Sequence, residues 1–352
     1  MKIGVLTFHF VYNYGAMLQA YALSQYLNKQ DSVECELIDY RPRKIDCIYH
    51  PDWQDFYAHP KVVLKNYVRK KISHTDVREF ERFMGTYFRM SKCIKSDQEF
   101  EKILGQYDTV FVGSDQVWNP MITGYDKNYL LQNTTKELHK FSYAASIGMN
   151  DADDEWKYSL KMLSMFEGIS VREESAYKLI KSIMPERDIQ RIVDPVFLFS
   201  ADIWRKLEKR VADMSRYLLF YSLSNNENLK KKAEKISRLS GLRIISIHPL
   251  YRSGIGKCRC DIGPGQFLWL IDHAEHICTD SFHAVAFSAI LSKKVSVQFD
   301  FKRGNRICDL LERLGEKSEI DFEEIGSYNF DNIYTKIKEL ENEGKKYIMK
   351  CI

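Results

Sequence analysis

Short apolar runs alternate with helix-period segments along most of the chain. Residues 3–8 are almost wholly apolar and read as a buried strand. Residues 15–27 carry Leu18, Ala22, Leu23 and Leu27 on one helical face, and residues 35–39 read as the next strand. Strand, helix, strand is the unit from which parallel sheets are built. Residues 40–89 are looser, basic and aromatic. Further strands are expected at 109–113 and 141–145, with a short one at 169–171. Ile192-Val193 then runs into Asp194-Pro195, a punctuation point.

The alternation restarts beyond residue 214. Residues 217–222 read as a strand, 226–239 as a lysine-rich amphipathic helix and 242–247 as a strand. Residues 265–272 suggest a helix, 275–278 a strand, 281–291 a buried helix and 295–299 a strand. Residues 306–314 and 330–345 read as helices. Two alternating blocks predict an α/β protein with two Rossmann-like domains facing a cleft. The N-terminal domain is expected over 1–198 and the C-terminal domain over 199–325, with a linker near 199–214. Residues 326–352 are expected to form a terminal helix packing back on the first domain.

Bulk properties narrow the chemistry. The chain has 352 residues, 45% hydrophobic, with a net charge of +4. That is enough apolar material for large cores, and the mild charge lacks the concentrated basic face of a nucleic-acid binder. No signal peptide and no apolar stretch of roughly 18 residues appear, so a cytoplasmic protein is expected. Eight cysteines are scattered, as in a protein that keeps reduced thiols. Cys258-Arg259-Cys260 is the one close pair. It lacks a second pair at zinc-finger spacing, so no metal site is expected.

Ligands of open α/β sheets bind at the carboxyl ends of strands, and polar clusters fall at several predicted strand exits. Tyr12-Asn13-Tyr14-Gly15 follows the first strand and residues 113–120 another. Arg172-Glu173 follows a third, and Asp280-Ser281-Phe282-His283 opens the buried helix at 281–291. Asp280 or Ser281 fits a helix N-cap, which would place His283 in the first turn, where N–H groups and the macrodipole attract anions. A Ser/His hydrolase does not fit: Ser281 and His283 are two apart on a helix, and no nucleophile-elbow motif appears.

These residues carry a family resemblance. The chain resembles the polysaccharide pyruvyl transferases through Asn13-Tyr14-Gly15-Ala16-x-Leu18-Gln19-Ala20, Gly113-Ser114-Asp115-Gln116-Val117-Trp118-Asn119, Ser170-Val171-Arg172-Glu173, Asp194-Pro195 and Asp280-Ser281-Phe282-His283. The resemblance spans most of residues 1–315 and implies a glycosyltransferase-B-like architecture. It implies transfer of the pyruvyl skeleton of phosphoenolpyruvate, as co-substrate rather than cofactor, onto a sugar of a cell-surface polysaccharide precursor. The product is a ketal across two hydroxyls, and phosphate is released. One departure stands out: well-studied members carry Arg-Leu-His where this chain has Ser281-Phe282-His283, while a large branch of the family looks similar to this chain in using Ser-Phe-His. Another cation must then replace that arginine, or the donor differs.

Candidate roles follow from that chemistry. His283 is expected as general acid/base and Asp115 as a base for the acceptor hydroxyl. Arg172, Ser281, Arg306, Lys302, Gly15 and Asn13 are the candidates for the donor, because a phosphate and a carboxylate need cations and N–H donors. Gln116, Trp118, Asn119 and Tyr14 are the candidates for the acceptor, as an aromatic face with planar polar groups suits a sugar. Each also has a plainer reading: Arg172 in a salt bridge, Trp118 in the core, Asn13 to Gly15 as an ordinary turn. Arg252 and Lys257 flank the glycine-rich run 253–256, which lacks a nucleotide fingerprint. Lys61, Lys65, Arg69, Lys70 and Lys71 read first as a solvated helix face. Their second reading is a peripheral contact with an anionic membrane, suited to a lipid-linked oligosaccharide acceptor at the inner face. The alternative activities are a nucleotide-sugar glycosyltransferase of the same architecture and a non-catalytic glycan- or metabolite-binding relative.

Overall fold

A computed structural model describes residues 1–50, 64, 76–132, 134, 137–212, 215–299, 306–316, 325–331 and 333–352. In its first half, Lys2–Leu6 (β1), Glu34–Leu37 (β2), Thr109–Val112 (β3) and His139–Ser142 (β4) form a sheet in the order β2-β1-β3-β4. All its pairs are parallel, with Ile3 opposite both Cys35 and Thr109. Ser170–Val171 (β5) and Gln190–Arg191 (β6) pair with each other, and bridges Phe141–Gly168 and Ala145–Val171 join them to the β4 side. β3 is buried throughout, which is why it reads as a continuous apolar run rather than an alternating one.

The second sheet contains Tyr217–Tyr221 (β7), Arg243–Ile247 (β8), Lys257–Arg259 (β9), His276–Thr279 (β10), Lys294–Gln298 (β11) and Ile325–Asn329 (β12). Its order is β12-β11-β10-β7-β8-β9, parallel except at β12. β9 and β12 were not expected. Each is largely exposed or half-buried and carries little apolar signal.

Three expectations are corrected. The stretch 40–89 is not loose in its described part: Arg43–Tyr49 and Arg78–Tyr87 are helices, and the second buries Phe80 and Phe83. Residues 199–212 do not form a simple linker. Ala201–Arg205 is a helix whose Trp204 is fully buried, donates to the Val196 carbonyl at 3.0 Å and meets Phe287 edge-on at 4.9 Å. The last helix runs over Tyr334–Cys351 rather than 330–345, and the Tyr347 hydroxyl donates to the Ser142 carbonyl at 2.9 Å.

One apolar core runs across the junction between the two sheets. The helix Tyr14–Asn28 packs against the helix Pro264–Asp272 and against Phe282–Ile290. Tyr14 stacks on Phe267 at 4.7 Å and on Phe80 at 5.2 Å. A fully buried side chain of this size contributes about 1.5–3 kcal/mol, so the walls of the cleft are braced from behind. A polar tie adds to this: the Asp309 carboxylate accepts the Glu174 N–H at 2.7 Å. Among the described residues no helix is long and apolar enough to cross a membrane.

Candidate active site

The carboxyl ends of the two sheets enclose a cleft of about 400 Å³. Its polar lining comes from both halves: Asn13, Lys44, Asp115 and Gln116 from the first, and Ser281, His283 and Arg306 from the second.

The helix Phe282–Ile290 opens on this cleft. Ser281 is its N-cap, with its hydroxyl 3.5 Å from the Ala284 N–H. Asp280 does other work. Its carboxylate accepts the Ser222 hydroxyl at 2.8 Å and the Leu223 and Ser224 N–H groups at 2.6 and 3.0 Å, fixing the loop after β7. Asn13 caps the helix Tyr14–Asn28 from the opposite wall, accepting from Gly15 and Ala16 at 3.0 and 3.2 Å.

His283 lies against Gly15. A Cβ built on Gly15 would fall 2.0 Å from His283 Nδ1 and 2.1 Å from Cγ. Only glycine lets the ring occupy this place. The close approach expected at Gly15 is therefore made by the histidine rather than by a ligand. On the far side of the ring, His283 Nε2 is 3.4 Å from Asp194 Oδ2.

Asp194 ties the site together. It is fully buried, and its Oδ2 also accepts Arg172 Nη1 at 2.6 Å and the Ser114 hydroxyl at 3.2 Å, while Oδ1 faces the Val196 N–H. Burial alone would push this carboxyl up. The His283 ring and the Arg172 guanidinium outweigh it and hold the group down at about 2. Arg172 reaches three carboxylates: Asp194, Asp115 at 3.8 Å and Glu173 at 3.9 Å. Its guanidinium carbon lies 4.5 Å from the centre of the Phe282 ring. Glu173 anchors the next loop, accepting the Ser146 hydroxyl and the Ile147 and Gly148 N–H groups at 2.9 Å each. Asp115 stands at φ 67°, in the left-handed region, and lines the cleft beside this charge network.

The expected site residues therefore separate into groups. His283, Asp115, Gln116, Asn13, Ser281 and Arg306 share the cleft. Arg172 is 4% exposed and lies behind the wall, so it grips carboxylates instead of facing a ligand. Trp118 offers no face to a sugar: it is fully buried and donates to the Tyr129 carbonyl at 2.9 Å. Tyr14 is likewise fully buried, in the aromatic stack between the halves. Asn119 caps the turn Pro120–Thr123 and donates to Gln116 Oε1 at 3.0 Å, away from the cleft lining. Arg252 and Lys257 are also absent from that lining. Lys302 and the basic positions Lys61, Lys65, Arg69, Lys70 and Lys71 lie outside the described residues.

Two participants were not anticipated. Asp194 entered only through the Asp-Pro pair, as punctuation and as one of the motifs of the family resemblance, with no role at the site. The helix Arg43–Tyr49 supplies Lys44, Ile45, Ile48 and Tyr49 to the cleft from a stretch without a clear helical period. Lys44 is exposed, and no acidic partner holds it among the described residues.

The fold is shared with sugar-nucleotide enzymes. The chain is similar to the UDP-GlcNAc 2-epimerase of Methanocaldococcus jannaschii, at 13% identity, covering 99% of each chain with a TM-score of 0.53. It is similar to the Neisseria meningitidis UDP-GlcNAc 2-epimerase bound to UDP-GlcNAc, at 13% identity, 99% of each chain and a TM-score of 0.54. At such identity these likenesses establish the two-domain glycosyltransferase-B-type fold alone. No curated protein matches the chain significantly. The family described as polysaccharide pyruvyl transferase matches residues 13–297. That span holds both capped helices, the Asp194 network and His283, and the chain belongs to the polysaccharide pyruvyl transferase family.

Proposed function

We propose that the protein transfers the pyruvyl group of phosphoenolpyruvate to two hydroxyls of a sugar in a polysaccharide precursor, forming a ketal and releasing phosphate. The observation that carries this reading is His283 at a helix N-terminus in the interdomain cleft, placed between Gly15 and the Asp194–Arg172 pair. The terminal methylene takes a proton, and the central carbon becomes electrophilic. One sugar hydroxyl attacks, phosphate leaves and the second hydroxyl closes the ketal. Two hydroxyl protons are lost; one is retained on the new methyl group and one departs with phosphate.

This chain's residues suit those tasks. His283 lines the cleft, with Asp194 Oδ2 3.4 Å from its Nε2, and serves as the group that exchanges a proton with the donor. Asp115, 3.8 Å from Arg172, serves as base for an acceptor hydroxyl. Lys44, Arg306 and the helix N-terminus at Ser281 supply positive potential for the phosphate and carboxylate of the donor. In this reading Arg172 acts through Asp194 and Asp115 as a positioning residue. Lys44 and Arg306 stand in for the arginine that Ser281 replaces.

The test is turnover. The protein is incubated with phosphoenolpyruvate and a panel of glycans and lipid-linked sugars. Phosphate release and the mass of a pyruvyl ketal are measured, and the assay is repeated with His283→Ala. Ketal formation lost in a folded His283→Ala variant is the expected result. Release of a nucleoside diphosphate from a nucleotide sugar, or turnover untouched by the substitution, would overturn the assignment.

A further inference from the structure

Two thiols outside the cleft stand in contact. Cys258 and Cys260 bring their Sγ atoms to 3.7 Å. Residues two apart on a strand share a face, with Cα atoms roughly 6.6 Å apart. That is at the long end of the roughly 4.4–6.8 Å over which a disulfide closes. Cys260 lies just past β9, a three-residue strand at the end of its sheet, so little ladder must yield for the sulfurs to meet.

The two sulfurs are unequal. Cys258 is half-buried, and its contact with the Cys260 thiol lowers it below the usual thiol range. Cys260 is buried, its thiol is pushed up beside Cys258, and its Sγ lies 3.4 Å from the Tyr251 carbonyl. Cys258 is thus arranged as the nucleophile and Cys260 as the resolving thiol. Burial pushes the Cys35, Cys278, Cys308 and Cys351 thiols the other way.

We infer that Cys258 and Cys260 form a redox-active dithiol that peroxides oxidise to an intrachain disulfide. The Cys258 thiolate attacks one peroxide oxygen, the O–O bond breaks, and Cys258 sulfenic acid and hydroxide (or alkoxide) result, the latter taking up a proton. The Cys260 sulfur then attacks the Cys258 sulfur. The S–S bond forms, and hydroxide leaves as water with the Cys260 proton. Two thiols lose two electrons and the peroxide gains them. The dithiol adjoins the cleft wall: the Tyr251 hydroxyl donates to the Ser222 and Leu223 carbonyls at 2.8 and 3.2 Å, and Leu223 lines the cleft.

The experiment is a hydrogen peroxide titration of the folded protein, then alkylation, tryptic digestion and peptide mass spectrometry. Trypsin cuts after Lys257 and Arg259, so the disulfide appears as the dipeptide Cys258-Arg259 held to the peptide 260–293, and fragmentation assigns the link to Cys260 rather than Cys278. The expected result is that this linkage completes at a peroxide concentration at least tenfold below that modifying any other cysteine. In Cys260→Ser, Cys258 should instead stop at a sulfenic acid trapped by dimedone; in Cys258→Ser, Cys260 should stay alkylatable. Oxidation of another cysteine first, or a Cys258 that passes to sulfinic acid without linking to Cys260 in the unsubstituted protein, would overturn the inference. None of these readouts depends on the proposed transferase activity.

Discussion

Replacing Gly15 with alanine isolates the contact that places His283. In an open helix this change stabilises by up to about 1 kcal/mol, because alanine is the better helix former. Here the new methyl would fall 2.0 Å from His283 Nδ1, 2.1 Å from Cγ and 2.6 Å from Cβ. Ordinary carbon contacts lie near 3.5–4.0 Å, so the ring must move by more than about 1 Å. Overpacking of this kind costs about 1–3 kcal/mol. Overpacking exceeds propensity, and Gly15→Ala is expected to destabilise by about 1–2 kcal/mol in urea denaturation. It should also slow turnover at least tenfold, because a displacement of about 1 Å at a reacting group is costly. The decisive comparison is a double-mutant cycle. In a His283→Ala background the methyl meets open space, and Gly15→Ala should become neutral or stabilising, a coupling of about 2 kcal/mol. Equal destabilisation in both backgrounds would refute the reasoning, since the clash would then lie with something other than His283.

Three other expectations follow from single residues. Asp194 is held down at about 2 against an ordinary 3.8, so its stabilisation is present above pH 3.8 and lost as pH falls through about 2. Asp194→Asn should cost about 2–3 kcal/mol at pH 7 and converge with the parent near pH 2, read from denaturation midpoints across pH. Asp309 is pushed up to about 6, by burial first and then by Glu173 and Glu312. Its native state binds the extra proton, so stability should fall as pH rises from about 4 to 6. Asp309→Asn keeps an acceptor for the Glu174 N–H and should be up to about 3 kcal/mol more stable than the parent at pH 8, yet equal to it near pH 4. Trp118→Phe loses a buried hydrogen bond and should cost about 1–3 kcal/mol in stability while leaving the acceptor KM unchanged in steady-state assays.

Much of the fold was legible because parallel strands buried on both faces write continuous apolar runs. The runs near residues 3–8, 109–113, 217–222 and 295–299 all correspond to strands. β9 and β12 were missed for the converse reason: Lys257–Arg259 and Ile325–Asn329 bury too little to leave a pattern. In the site, residues at strand exits were found because polar side chains there interrupt apolar segments. Sequence could not tell which way they face. Trp118 and Tyr14 sit among cleft residues in the chain, yet their rings fill the core and the junction between the sheets. Arg172 was found, but its three carboxylate neighbours, Asp115, Glu173 and Asp194, span 80 positions from 115 to 194 and converge only on folding. Lys44 is brought to the cleft by a short helix with no strong period, so only the structure reveals it.

The central claim is that this cleft takes phosphoenolpyruvate. Calorimetric titration of the purified protein with phosphoenolpyruvate, beside uridine- and guanosine-diphosphate sugars, tests it most directly. The account predicts saturable binding of phosphoenolpyruvate, weakened by Lys44→Ala, with no saturable heat from the nucleotide sugars. Saturable binding of a nucleotide sugar with none of phosphoenolpyruvate would contradict it.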